Sequence, residues 1–218
     1  MTKSQVLKWL EATAAVIEKN RQYLTDLDSP IGDADHGINM DRGFKKVTSK
    51  LPGVGDKDIG TILKTAGMAL VTSVGGAGGP LYGTFLMDAG KAVAGKDELS
   101  DDDLVALLDA GLKGVIRIGK TNLEDKTMVD ALHPALEALK EAVADGKNTV
   151  EALHLMTDAA HEGMKATIPM LARKGRASYV GERSIGHQDP GATSSYLLLK
   201  TLTETVEAEG QTPFGTSA

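Results

Sequence analysis

Apolar residues recur along most of this chain at intervals of three and four, the repeat of a helix with one buried face. Val6, Leu10, Ala14 and Ile17 form the first stripe, behind Ser4, a residue type suited to an N-cap. Met40, Phe44, Val47 and Leu51 form a second, and Ile59, Ile62, Ala66 and Leu70 a third opened by Asp58. A fourth helix is predicted from Leu81 to about Val93. Ser100 and Asp103 read as a capping box opening a fifth, which Gly119 stops. Two more stripes run from Val129 to Val143, interrupted by Pro134, and from Leu153 to Ile168. The last helix spans about Ala192 to Glu207. Strand-like alternation is almost absent, so the expectation is eight helices in an all-α, single domain over residues 1–209. Residues 210–218, "GQTPFGTSA", are expected to be a disordered tail.

Four polar, glycine-bearing segments interrupt the stripes: residues 26–39, 73–80 ("SVGGAGGP"), 119–127 ("GKTNLEDKT") and 172–191. The last is long for a structureless connection in a compact domain, and such loops commonly carry function.

The chain's 218 residues suffice for one sizeable core. A net charge of −6 and the lack of a long Lys/Arg run argue against a nucleic-acid partner. The absence of cysteine excludes disulfides and thiolate chemistry. No apolar stretch approaches the ~18 residues of a membrane span, and the N-terminus lacks a signal-type apolar run, so no membrane association and a cytoplasmic location are expected.

The densest chemistry lies in "LDSPIGDADHGINMDRGF". Asp33 and Asp35 are two apart, so an extended segment would send both carboxylates to one side, and a bend at Ser29-Pro30 and Gly32 would bring Asp28 to them. Three converging carboxylates repel unless a cation lies among them, and oxygen-only donors select Mg²⁺ or Ca²⁺. An EF-hand fails on spacing: counting Asp33 as the first position puts Ile38 where glycine is needed and Phe44 where a bidentate Glu belongs. Mg²⁺ usually keeps water and bridges to substrate phosphates, so the aspartates point to a phosphate compound. The plainer alternative is that they are helix caps and turn formers, with Asp35 or Asn39 capping the Met40 helix. "GGAGGP" offers backbone N–H groups before a helix N-terminus, which suits an anion or is simply a tight turn. Residues 172–191 concentrate Arg173, Lys174, Arg176 and Arg183, cations that could offset phosphoryl charge or merely be solvated. Met128 reads as core.

Taken in order, "LDSPIGDADHGINMDRGF", "SVGGAGGPLYGTF", "GKTNLEDKTMVDAL" and "ARKGRASYVGERSIGHQDPGATS" closely resemble the nucleotide-binding L subunits of bacterial dihydroxyacetone kinases, over nearly everything from Trp9 to Leu202. The resemblance implies an antiparallel eight-helix barrel with ADP or ATP at one end, held through two Mg²⁺ ions. It implies Asp28, Asp33 and Asp35 as metal ligands. Nucleotide contacts carry over to His36, Gly37, Ile38, Asn39, Ala77, Gly78, Gly119, Met128, Arg176, Asp189, Pro190 and Gly191, with Met128 as a wall for the adenine. Arg176 and His36 are the candidate catalytic residues. Where family members often carry a small hydroxyl residue, this chain has Gly78, which leaves only backbone contacts there.

The implied activity is a phosphotransferase relay. A phosphohistidine on a carrier (M) subunit, fed from phosphoenolpyruvate, would charge bound ADP, and dihydroxyacetone held by a K subunit would receive the phosphoryl group. Two other readings stay open. One is an ATP-dependent kinase subunit for a triose or tetrose with exchangeable nucleotide. The other is an Mg–ADP-dependent binding module, for example one docking on a transcription regulator.

Overall fold

The computed structural model describes the backbone of residues 1–210 and the side chains of residues 1–208; the expected tail otherwise lies outside the described residues. Among the described residues, nine α-helices follow in order: α1 (Lys3–Lys19), α2 (Arg21–Asp28), α3 (His36–Lys50), α4 (Ile59–Ser73), α5 (Gly78–Ala92), α6 (Asp101–Gly119), α7 (Val129–Ala144), α8 (Thr149–Ala166) and α9 (Pro190–Gly210). Among the described residues there is no strand, only one isolated bridge between Thr2 and Glu98.

Eight of these helices close a ring. Each packs on its neighbour from α3 through α9, and α1 joins the ends by packing on both α9 and α3. The N-termini of α3, α5, α7 and α9 meet at one end of the ring with the C-termini of α2, α4 and α6, so consecutive ring helices run antiparallel. The expected eight-helix barrel is therefore present, and α2 is an addition to it, packed on α3 and α9.

Aliphatic side chains fill the ring, with few aromatics among them. Trp9, Tyr82, Phe44 and Phe85 are the large buried rings. The Trp9 indole N–H donates to the Leu198 carbonyl at 3.0 Å, so even this polar group joins α1 to α9. The α4–α5 contact is close because it is made of glycines: a Cβ on Gly67 would stand 2.6 Å from the Gly83 oxygen.

Helix starts follow local chemistry. Thr2, not Ser4, caps α1, in a box completed by Gln5. Ser100 and Asp103 form the expected box on α6, and Asp58 caps α4 through the Thr61 amide. Pro134 does not delay α7, which starts at Val129 and runs through it. The proline cannot donate to the Asp130 carbonyl one turn back. Gly163 of α8 fits against that carbonyl, where a Cβ would come within 2.1 Å. The unexpected element is α2. Its eight residues lack a side-chain cap, and only Leu24 and Asp28 are buried, too little apolar repetition to stand out in the sequence.

Candidate functional site

A cavity of about 440 Å³ opens at the end of the ring where the four helix N-termini converge. That size suits a small ligand, and four inward N-termini favour an anionic one.

Asp28, Asp33 and Asp35 present carboxylate oxygens that lie within 4.8 Å of one another at its wall. They do not converge by the extended route expected from their spacing. Asp28 is the last residue of α2, and the chain between Asp33 and Asp35 turns through Ala34 at φ +56°. Asp28 is 8% exposed, and its Oδ2 accepts from the Asp35 and His36 amides at 2.9 and 3.2 Å. Asp28 thus caps α3 from a neighbouring helix. Asp35 stands at the N-cap position but makes no side-chain cap bond. Burial and then the neighbouring Asp35 and Asp28 carboxylates raise the Asp33 pKa, while Arg176 pulls it down. Oxygen donors, mutual repulsion and a partly buried position fit a hard divalent cation.

Arg176 comes from the long α8–α9 loop, and its guanidinium pairs with Asp33 at 2.9 Å. The loop thereby reaches across the cavity to the carboxylates. His36 and Asn39 line the wall from α3. The His36 Nε2 lies 2.8 Å from the Ser194 hydroxyl, and burial lowers its pKa, favouring the neutral ring near neutral pH. Asn39 is held by Arg42, which donates to its Oδ1 and to the Ser73 carbonyl, both at 2.7 Å. Gly75 lets this happen, because a Cβ there would sit 2.8 Å from the Asn39 oxygen.

Of the remaining expected contacts, Ala77, Gly78, Gly119, Met128, Asp189, Pro190 and Gly191 all line the cavity. Gly37 and Ile38 do not. Gly37 packs on α2, where a Cβ would lie 1.9 Å from the Arg21 carbonyl, and the Ile38 side chain is exposed. Only their backbone N–H groups, in the first turn of α3, could serve an anion. A Cβ at Gly78 would meet nothing closer than Val74, at 3.1 Å. Met128 is buried as core, as expected, and also lines the cavity.

Asp189 caps α9, accepting the Ala192 amide at 2.7 Å. Burial is the main reason its pKa rises to about 7; the Ala192 bond opposes this, Asp130 adds to it, and Lys126 opposes it.

Sequence reasoning missed Tyr82 and Lys126, which line the cavity, and Ser194, which bonds to lining residues. Tyr82 places its hydroxyl 2.6 and 2.9 Å from Ser194 and Ser195 and donates to the Gly191 carbonyl at 3.0 Å. Ser194 in turn reaches His36. Lys126 is 1% exposed beneath the cavity. A tyrosine and a serine at helical spacing carry no signal of their own, and Lys126 sits in a segment that reads as solvated turn.

Residues 30–204 match the model of the DAK2 domain. The chain is 46% identical over 202 residues to the ADP-binding subunit DhaL of the PEP-dependent dihydroxyacetone kinase of Escherichia coli (strain K12), covering 93% of this chain and 96% of that one. It is 45% identical over 200 residues to the corresponding subunit of dihydroxyacetone kinase 2 of Listeria innocua, covering 91% and 92%. The crystal structure of the dihydroxyacetone kinase from C. freundii in complex with AMP-PNP and Mg²⁺ superposes with a TM-score of 0.73 at 26% identity, over 93% of this chain and 34% of that longer one.

Proposed function

The chain belongs to the DAK2 domain family, and on that premise we propose that it is the ADP-binding subunit of a phosphoenolpyruvate-dependent dihydroxyacetone kinase. The observation that carries the reading is the meeting of Asp28, Asp33 and Asp35 with Arg176 at the mouth of a cavity ringed by helix N-termini. Acidic groups for a cation, backbone donors for phosphate and a mobile-length cationic side chain are the parts that phosphoryl transfer requires.

In this reading the three aspartates hold Mg²⁺. Two ions are assigned, the number that the family resemblance implies. A nucleotide held here with Mg²⁺ would supply the phosphate that relays a phosphoryl group between a phosphohistidine and a dihydroxyacetone hydroxyl. Asn39, Ala77, Gly78 and the first turns of α3 and α5 orient the phosphates. The neutral His36 hydrogen-bonds without adding charge. Arg176 offsets the charge that grows on the transferring group, which is where such a cation acts most strongly. Met128, Leu81 and Pro190 give the base an apolar wall.

The carrier (M) and K subunits are the proposed partners. Ile38, Ile118, Leu123 and Tyr179 stand exposed around the same end, Tyr179 at 87%, and offer apolar surface for docking there. The test is to denature dialysed protein and quantify what it releases. Near-stoichiometric ADP with about two Mg²⁺ per chain supports the relay. Protein that releases neither and binds neither on titration sinks it, while nucleotide lost on dialysis but rebound as ATP favours an exchangeable-ATP kinase.

A further inference from the structure

A lysine is seldom buried without a direct ion pair, and here one is. Lys126 is 1% exposed, and its ammonium, with three N–H donors, lies within hydrogen-bonding reach of four backbone carbonyls: Thr167 at 2.7 Å, Met170 at 3.1 Å, Ile168 at 3.4 Å, and His187. No carboxylate hydrogen-bonds it among the described residues. Three of these carbonyls lie just past the end of α8, where the helix dipole favours a cation. The fourth lies two residues before Asp189. One ammonium therefore gathers both ends of the loop that carries Arg176.

Other bonds join the same seam. The Asp189 amide donates to the Thr167 hydroxyl at 3.0 Å, the Gly186 amide to the Ile168 carbonyl at 2.8 Å, and the Arg173 amide to the Asp125 carbonyl at 3.0 Å. The segment presenting Lys126 is itself constrained. Glu124 and Lys126 have φ of +68° and +62°, a conformation costly for residues other than glycine. Buried Asp130 holds this shape by accepting the Glu124 and Thr127 amides. Two residues beyond Lys126 stands Met128, which lines the same cavity as Arg176.

We propose that Lys126 is a positioning residue: its ammonium ties the α6–α7 loop to both ends of the α8–α9 loop, and so sets how long nucleotide stays bound. The proposal rests on the function assigned above for its last step only; the tie itself is independent of any ligand.

The test uses Lys126→Met in the full chain, read first by hydrogen exchange without ligand. Exchange across 167–176 and 185–189 should rise roughly tenfold or more, the scale of losing one charge-assisted hydrogen bond, while α4 and α5 stay unchanged. Release of a fluorescent ADP analogue in Mg²⁺ should accelerate by a similar factor, with association little altered. Because the chain has no cysteine, Lys126→Cys can be aminoethylated with bromoethylamine in denaturant and refolded, which rebuilds an ammonium at nearly the original length. Recovery of slow exchange and slow release supports the tie. Unchanged exchange in folded Lys126→Met overturns it, and faster exchange with unchanged release overturns the positioning role. Should Lys126→Met not fold, Thr167→Val removes the acceptor for Asp189 without altering charge; the same seam should loosen, and an unaltered one refutes the proposal. Wild-type protein that binds no ADP would defeat the functional reading, and the exchange data would still decide the tie.

Discussion

Asp28 is proposed to do two jobs with one carboxylate, and substitution can separate them. It caps α3 through two bonds, to the Asp35 and His36 amides at 2.9 and 3.2 Å, and it shares the proposed cation site with Asp33 and Asp35 within 4.8 Å. Hydrogen bonds to a charged group contribute about 1.5–3 kcal/mol each, so losing both costs ~3 kcal/mol or more. Against this stands repulsion among the carboxylates. At that separation it is about 1 kcal/mol per pair in a water-like dielectric, the appropriate limit because Asp33 is exposed and screened. Without ligand, Asp28→Ala should therefore be destabilised by about 1–2 kcal/mol. Asp28→Asn keeps one carbonyl oxygen for the amides and loses the repulsion, so it should fall within ~1 kcal/mol of the parent. Mg²⁺ and ADP at about a hundred times their dissociation constant should add ~2.7 kcal/mol to the parent and to neither variant. Urea denaturation with and without Mg–ADP measures both effects. An Asp28→Asn protein that keeps the full ligand-dependent gain would refute the cation role. One that falls as far as Asp28→Ala without ligand would refute the division between cap and charge.

Asp189 should leave a mark on stability versus pH. Its carboxyl titrates near 3.8 when unfolded and at about 7 when folded, so the folded state holds the extra proton between those values. Its contribution is complete below about pH 4 and is lost as pH rises through about 7. Asp189→Asn, which can still accept the Ala192 amide, should flatten that part of the profile; denaturation midpoints with equal pH slopes in parent and variant would count against it. Gly37→Ala should weaken Mg²⁺-dependent ADP binding although it changes no ligand, because its Cβ would press within 1.9 Å of the Arg21 carbonyl and part α2 from α3. A loss of about 1–3 kcal/mol of stability should accompany it; unaltered nucleotide affinity by calorimetry would show that the α2–α3 contact does not set the carboxylate geometry.

The main helices were legible because their evidence is local. A stripe such as Ile59, Ile62, Ala66 and Leu70 records which face is buried wherever its partner lies, and Ser100 with Asp103 marks a start within four residues. The carboxylate cluster was legible for a different reason: so many charges in one short segment have few alternatives to a counter-charge. α2 escaped notice because two buried residues in eight make no stripe.

What the sequence by itself determined, then, is the helical class, the grouping of Asp28, Asp33 and Asp35 with Arg176 as candidate chemistry, and the family to which those motifs lead. Tertiary structure alone decided how the chemistry is assembled. Asp28 caps a helix other than its own, Arg176 reaches Asp33 across 143 positions of chain, and a lysine in a turn-like segment becomes the buried tie between two loops. The physical reason is that a side chain's partner in space leaves no trace in the residues beside it. Periodicity reports burial, whereas closure of the ring determines which ends meet, and only that meeting turns separate charges and helix termini into one site.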